Sequence, residues 1–133
     1  MRNFSNKIWN GARYVFEIQE TSDKRRVTKV NDEEFETRLR EIVTRVTDQL
    51  DKLRIGQAAE TVHNEFWHWY CDIEIERNKK GEISDQSLRY GLTTFLKLLH
   101  PFVPFVTEVV WQEARGREMK EFDSPTLIEA GWP

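Results

Sequence analysis

Several absences narrow this 133-residue sequence before any pattern is sought. It has one cysteine, Cys71, so it cannot form an internal disulfide, which suits a reducing compartment. It has no long apolar run. The most apolar stretch, 92–111, is interrupted by Lys97, His100, Pro101, Pro104 and Glu108, which excludes a transmembrane span. Arg2, Asn3, Ser5, Asn6 and Lys7 precede any apolar segment, unlike a signal peptide, and the expectation is a cytoplasmic chain with no membrane partner. A glycine-rich phosphate loop, a strand–turn–serine elbow and an HExxH pair are all missing, so no catalytic residue and no bound cofactor are expected here.

What is present is a globular composition. Five tryptophans, eight phenylalanines and three tyrosines are far too many aromatics for a solvating, disordered chain. The length suits one domain over 1–133, able to bury roughly two-thirds of its unfolded surface. Net charge is −3, which argues against a general nucleic-acid binder, but it is unevenly spread. Residues 1–30 hold seven basic and three acidic side chains; the other 103 residues hold 13 and 20. Such asymmetry fits one face made for an anionic partner, and equally a solvated loop rich in lysine and arginine.

The apolar spacing predicts an all-α chain, an antiparallel bundle of about five helices joined by short connections. At about 100° per residue, Phe4, Ile8, Gly11, Ala12, Val15 and Ile18 share one arc of a first helix over 4–20, with Trp9 and Phe16 at its border. Gly11 and Ala12 on that side allow a neighbouring helix to come close. A basic connection, TSDKRRVTKVND, follows, and Asn31 with Glu34 resembles a capping box for a second helix. That helix carries Phe35, Leu39, Ile42, Val46, Leu50 and Leu53 to about Arg54, with Gly56 as its terminator. A third, over 57–79, is expected to bury Ala59, Val62, Phe66, Trp69, Tyr70 and Ile73 and to end at Gly81. Ser84 is placed to cap a fourth, which carries Leu88, Leu92, Phe95, Leu96 and Leu99 and stops near His100. A fifth is expected over 101–115, presenting Phe102, Phe105, Val106, Val109 and Val110 and ending at Gly116. The remainder, 116–133, is a polar tail, packed on the bundle or extending from it, with an apolar patch of Leu127, Ile128 and Trp132.

Metal chemistry finds little support. His68 and Cys71 are three apart, but His63 lies about 140° from His68 around a helix, and no second cysteine completes a zinc set. Packing is the better account of these residues, and no metal is assigned. Asp72, Glu74 and Glu76 alternate and so do not pair on a helix; Asp72, among aromatics, is a candidate anchor for a neighbouring helix. The remaining opening is the polar face of the first helix, where Lys7, Asn10 and Arg13 align opposite the apolar arc, flanked by Trp9 and Tyr14. Cations for phosphates beside rings for splayed bases suit single-stranded RNA, while an ordinary exposed face bordered by core aromatics has the same spacing.

Four segments resemble one family. KIWNGARYV (7–15) is similar to the KLWNASRFV motif of the anticodon-binding domain of valyl-tRNA synthetases, and FWHWYCDIEIE (66–76) to that family's FIWHEFCDWYIE. LLHPFVPFVTEVVWQ (98–112) resembles its LLHPFMPFITEELWQ, and TLIEAGWP (126–133) the SIMLAPWP that closes the domain. The HPFVPF element is shared with isoleucine and leucine enzymes, whereas Trp9-Asn10 and Trp67-His68…Cys71-Asp72 point to valine. The resemblance implies an α-helical bundle that binds the anticodon stem-loop of tRNA, within a class I synthetase whose separate catalytic domain uses ATP and Mg²⁺ on valine. It implies RNA-binding positions at Lys7, Asn10 and Arg13, Arg13 foremost, with Trp9 and Tyr14 as packing or stacking rings. It also implies a structural HPFxPF corner whose phenylalanines fill the core, so truncating Phe102 is expected to cost about 3–5 kcal/mol. Two departures stand out: Gly11 replaces an alanine, and Ile73-Glu74 replaces a Trp-Tyr pair. The equivalent domain of an isoleucyl- or leucyl-tRNA synthetase, or a helical protein-interaction bundle without RNA, are the alternatives.

Overall fold

A computed structural model describes residues 2–21 and 32–133. The basic stretch 24–29 and the capping box at Asn31 lie outside the described residues. Helix α1 spans Arg2–Thr21, α2 Asp32–Asp51, α3 Ile55–Asn64, α4 Ile75–Lys79, α5 Asp85–Leu99, α6 Pro104–Gly116 and α7 Leu127–Ala130. A π-helical segment, Glu65–Glu74, joins α3 to α4, so Ile55–Lys79 forms one continuous rod. No strand occurs among the described residues.

The chain alternates in direction, as short connections require. Arg38 meets Glu65 while Arg77 meets Glu34, so α2 runs against the rod. Asn78 meets Asp85 while Phe66 meets Phe95, so α5 also runs against it. Phe4 lies on His63 and Phe66, Gly11 by Cys71, and Tyr14 on Asn78, so α1 runs with it. Helix α5 is central, with ten of its residues buried from Ser87 to Leu99, because neighbours cover it on most sides. Its polar members Thr93 and Thr94 donate to the carbonyl of Tyr90 at 2.7 and 3.1 Å. Gly91 exists for lack of room: a Cβ there would stand 2.7 Å from the Phe35 ring and 2.8 Å from Tyr70.

The amphipathic reading of α1 holds, since Phe4, Ile8, Ala12, Val15, Phe16 and Ile18 are all buried. Ser84 caps α5 as expected by accepting from the Ser87 N–H at 3.1 Å. The rod differs from a plain third helix. A π turn takes up an extra residue, so the buried side shifts by one position along it. Beyond Tyr70 the interior is met by Cys71, Glu74, Ile75 and Asn78, while Ile73 is 50% exposed and Ala58 replaces Ala59 inside.

Helix ends also differ. Helix α2 stops at Asp51, where the N–H of Arg54 bonds the Gln49 carbonyl and that of Leu53 the Leu50 carbonyl. This closing motif puts Leu53, not Gly56, in the left-handed conformation, at φ 60°. Gly56 lies inside α3. Gly81 does close α4, at φ 79°. Gly116 is the last residue of α6, but the left-handed turn beyond it falls on Glu118. The HPFxPF corner carries a larger correction. Helix α6 opens at Pro104 rather than Pro101, so its inner stripe is Thr107, Val110, Trp111 and Ala114. Phe105 is then 87% exposed, Val109 is exposed and Phe102 and Val106 are half-buried, so the corner's phenylalanines do not fill the core. Thr107 is accommodated inside because its hydroxyl donates to the Val103 carbonyl at 2.9 Å and lies 3.0 Å from His100 Nδ1.

Residues 117–133 fold back along the bundle. Phe122 packs edge-on against Trp111, whose indole donates to the Ser124 carbonyl at 2.9 Å. Glu108 accepts from the Leu127 N–H at 3.0 Å, and the Trp132 indole reaches Thr47 on α2 at 2.8 Å. Leu127 is buried; Ile128 is exposed.

Candidate nucleic-acid interface

The polar face of α1 lies along the π segment and α4. Lys7 Nζ is 3.0 Å from Asp72 Oδ1 and 5.2 Å from the centre of the Trp67 ring, so Asp72 is the anchor that its aromatic setting suggested. Two turns of α1 further on, the Tyr14 hydroxyl donates to Asn78 Oδ1 at 2.7 Å. Asn78 is itself buried and fixed, donating to the Ile83 carbonyl and to Asp85. Lys79 Nζ sits 5.4 Å above the Tyr14 ring and 3.1 Å from Glu76.

Between these two ties lies a groove of about 290 Å³, with Gly11, Cys71 and Ile75 among its lining residues. Gly11 makes the close approach possible, as a Cβ there would be 3.1 Å from Cys71 Sγ. Burial pushes the Cys71 thiol up to about 12, against a smaller opposing pull from Lys7, so it stays neutral at physiological pH.

Of the five residues singled out for RNA, the structure therefore brings Lys7, Asn10 and Tyr14 to one groove. Asn10 and Arg13 are exposed on the same side of α1, Arg13 beyond the groove's lining. Trp9 is half-buried and packs on the core from the border of the apolar arc. Sequence reasoning missed Lys79 and Glu76 as neighbours of α1, because the shift introduced by the π segment sets which side of α4 faces Tyr14. The histidines and cysteine weighed for metal part company: His63 packs tilted on Phe4 with ring centres 4.2 Å apart, His68 is exposed 3.6 Å from Asp72, and Cys71 faces Gly11.

The other side of the rod is acidic. Glu33, Glu34, Glu41 and Glu74 line a hollow of about 480 Å³ against α2, with Arg38 and Trp69. Burial holds the Glu74 carboxyl above the usual glutamate range, opposed by Arg77, whose Nη1 donates to it at 3.1 Å. Phosphates are disfavoured there.

This all-helical bundle matches a known family. Residues 32–133 match the family described as the anticodon-binding domain of tRNA ligase, and the chain belongs to it. The valine–tRNA ligase of Staphylococcus aureus strain bovine RF122 / ET3-1 is 33% identical over 148 residues, covering 98% of this chain and 16% of the relative. The valine–tRNA ligase of S. aureus strain JH9 is 32% identical with the same coverage. Both alignments cover nearly all of the chain, whereas the family match begins at Asp32, after α1. The chain spans about 16% of the length of these curated relatives.

Proposed function

We propose that this chain binds the anticodon stem-loop of a valine tRNA through the exposed side of α1, as one part of a valine–tRNA ligase. Family membership, with relatives named for valine matched across 98% of the chain, carries this reading. The side-chain chemistry supports it: Arg13 and Asn10 are exposed together, and Lys7 and Lys79 stand nearby over aromatic rings. Arg13 holds a phosphate or the edge of a loop base, and Lys7 and Asn10 add contacts on the same side. Trp9 and Tyr14 set the helix in place more than they stack, since one packs on the core and the other is tied to Asn78. Activation of valine with ATP and Mg²⁺ belongs to a catalytic domain of the parent enzyme, and the work of the whole is cytoplasmic. No helix among the described residues is long and apolar enough to cross a membrane.

The test is titration with a valine anticodon stem-loop beside a scrambled-loop control, at low and moderate salt. Selective binding that weakens steeply with salt is the expected result, because each phosphate contact releases counterions. Equal binding of both RNAs would overturn the reading. The exposed apolar side of α6, with Phe105 and Val109, favours as a second reading a protein-facing surface on the same bundle.

A further inference from the structure

We infer that the rod is a two-register element: its π turn shifts from Glu65–Glu74 to the stretch 74–78, which brings Ile73 inside in place of Ile75 and turns Asp72 off Lys7. The two registers depend on the rod alone; their use in RNA binding rests on the reading above.

Sequence and structure favour different registers. Phe66, Trp69, Tyr70 and Ile73 share one arc at helical spacing, so a purely α-helical rod buries Ile73. In the π arrangement Ile73 is 50% exposed, while Glu74 carries its carboxyl into the interior and Ile75 is buried after it. Winding the rod more tightly beyond Tyr70 carries each following residue further round. Ile73 then passes from the outer side to the inner one, and Ile75 swings out where the extra residue is taken up. Glu74 gives up Arg77 and comes beside Gly11, a turn of α1 beyond Lys7. One isoleucine is exchanged for another, so the apolar area buried changes little and neither register wins by a wide margin.

Both ends of the segment stay in place during the shift. Phe66 and Tyr70 are fully buried, and the Tyr70 hydroxyl donates to the Leu88 carbonyl of α5. Asn78 is bonded to Tyr14, Ile83 and Asp85. Between these anchors Asp72 and Ile73 lie outside, and the polar tie to α1 is the Lys7–Asp72 pair. A solvent-exposed ion pair holds weakly, so it biases the register without locking it.

The consequence falls on α1. Cys71 faces Gly11, so tighter winding carries Asp72 onward and away from the α1 side. Lys7 then loses its carboxylate and is open to a phosphate, whereas in the π arrangement a phosphate at Lys7 meets Asp72. RNA that holds Lys7 therefore selects the tighter register, because it binds that state better. Single π turns recur at functional sites, where such a shift can be used.

The experiment is NMR relaxation dispersion of backbone amides and isoleucine methyls on the full chain, which reads exchange on the μs–ms timescale. Exchange is expected across 71–78 and not in α3 or α5. Ile73→Gln, at a half-exposed position, is expected to quench it, because a polar side chain resists entering the interior. Asp72→Asn is expected to raise the minor population by up to about fivefold, the worth of one exposed ion pair. A melting curve for each variant confirms that the fold is kept. A flat profile over 71–78 in the unaltered chain, or exchange that Ile73→Gln leaves unchanged, overturns the two registers whatever the RNA does. Addition of a valine anticodon stem-loop is expected to move the Ile73 methyl toward its buried shift. If the stem-loop binds and that methyl stays where it was, the coupling to α1 is wrong and the RNA reading survives. If no stem-loop binds while Ile73→Gln quenches the exchange, the registers stand and the RNA reading falls.

Discussion

Helices α1 and α6 pack against each other, yet they turn opposite chemistry outward. Helix α1 buries a clean apolar arc from Phe4 to Ile18 and sends Asn10 and Arg13 to solvent. Helix α6 buries Thr107, Val110 and Trp111 and leaves Phe105 and Val109 outside. The first is an ordinary amphipathic helix whose exposed side is polar and partly cationic. The second owes its orientation to the corner that precedes it, where Pro104 supplies a fixed φ and a missing N–H at the first helical position. Apolar residues thus do not mark the inner side by themselves; the point at which the helix starts decides which of them turn inward.

Substitutions can break this contrast or sharpen it. The largest effect is expected at Phe66, which is fully buried and packs edge-on to Phe4 of α1 and against Phe95 of α5. Phe66→Ala should cost about 3–5 kcal/mol in denaturant unfolding. Gly91→Ala comes next, with a loss of about 1–3 kcal/mol, because the new methyl collides with the rings of Phe35 and Tyr70. Phe105→Ala should change stability by no more than about 0.5 kcal/mol, and Phe102→Ala by less than the 3–5 kcal/mol of a fully buried ring. A loss of several kcal/mol at Phe105 would restore the core-filling role and refute the orientation of α6.

Two further predictions are smaller. Burial raises the Glu74 pKa in the fold above its unfolded value, so the native state binds the proton more tightly. That carboxyl's contribution to stability is therefore fully present in acid and is lost as pH rises through the usual glutamate range to the higher native value. Glu74→Gln should accordingly gain stability relative to the unaltered chain as pH rises through that window, read from melting curves at several pH values. A constant difference across the series would contradict it. Leu53→Gly should stabilise by about 1 kcal/mol, since Leu53 is 82% exposed and held at φ 60° where glycine is unstrained.

Much of the fold was legible because it is written in spacing. Phe35, Leu39, Ile42 and Val46 recur at three and four, and the structure buries all four. Ser84 and Gly81 marked their helix ends because a side-chain cap and a left-handed glycine are local chemistry. The π segment was not legible, since it depends on how Phe66, Trp69 and Tyr70 pack on α5 and α2, and it moved Ile73 out and Glu74 in. Leu53 and Glu118 in left-handed turns were likewise invisible, because nothing in their side chains announces the conformation. Within the candidate site, the pattern of α1 gave Lys7, Asn10 and Arg13. Asp72 as the partner of Lys7, and Asn78 and Lys79 as the neighbours of Tyr14, emerge only when α1 lies beside the rod.

The most direct measurement is a residue-by-residue map of backbone amide shifts by NMR as a valine anticodon stem-loop is added to the full chain. The expected result is a continuous patch of perturbed amides along the exposed side of α1 and the facing turn of the rod, around Asn10, Arg13 and Lys79, with Phe105 and Val109 unmoved. Perturbation centred on Phe105 and Val109, with α1 silent, would contradict the account.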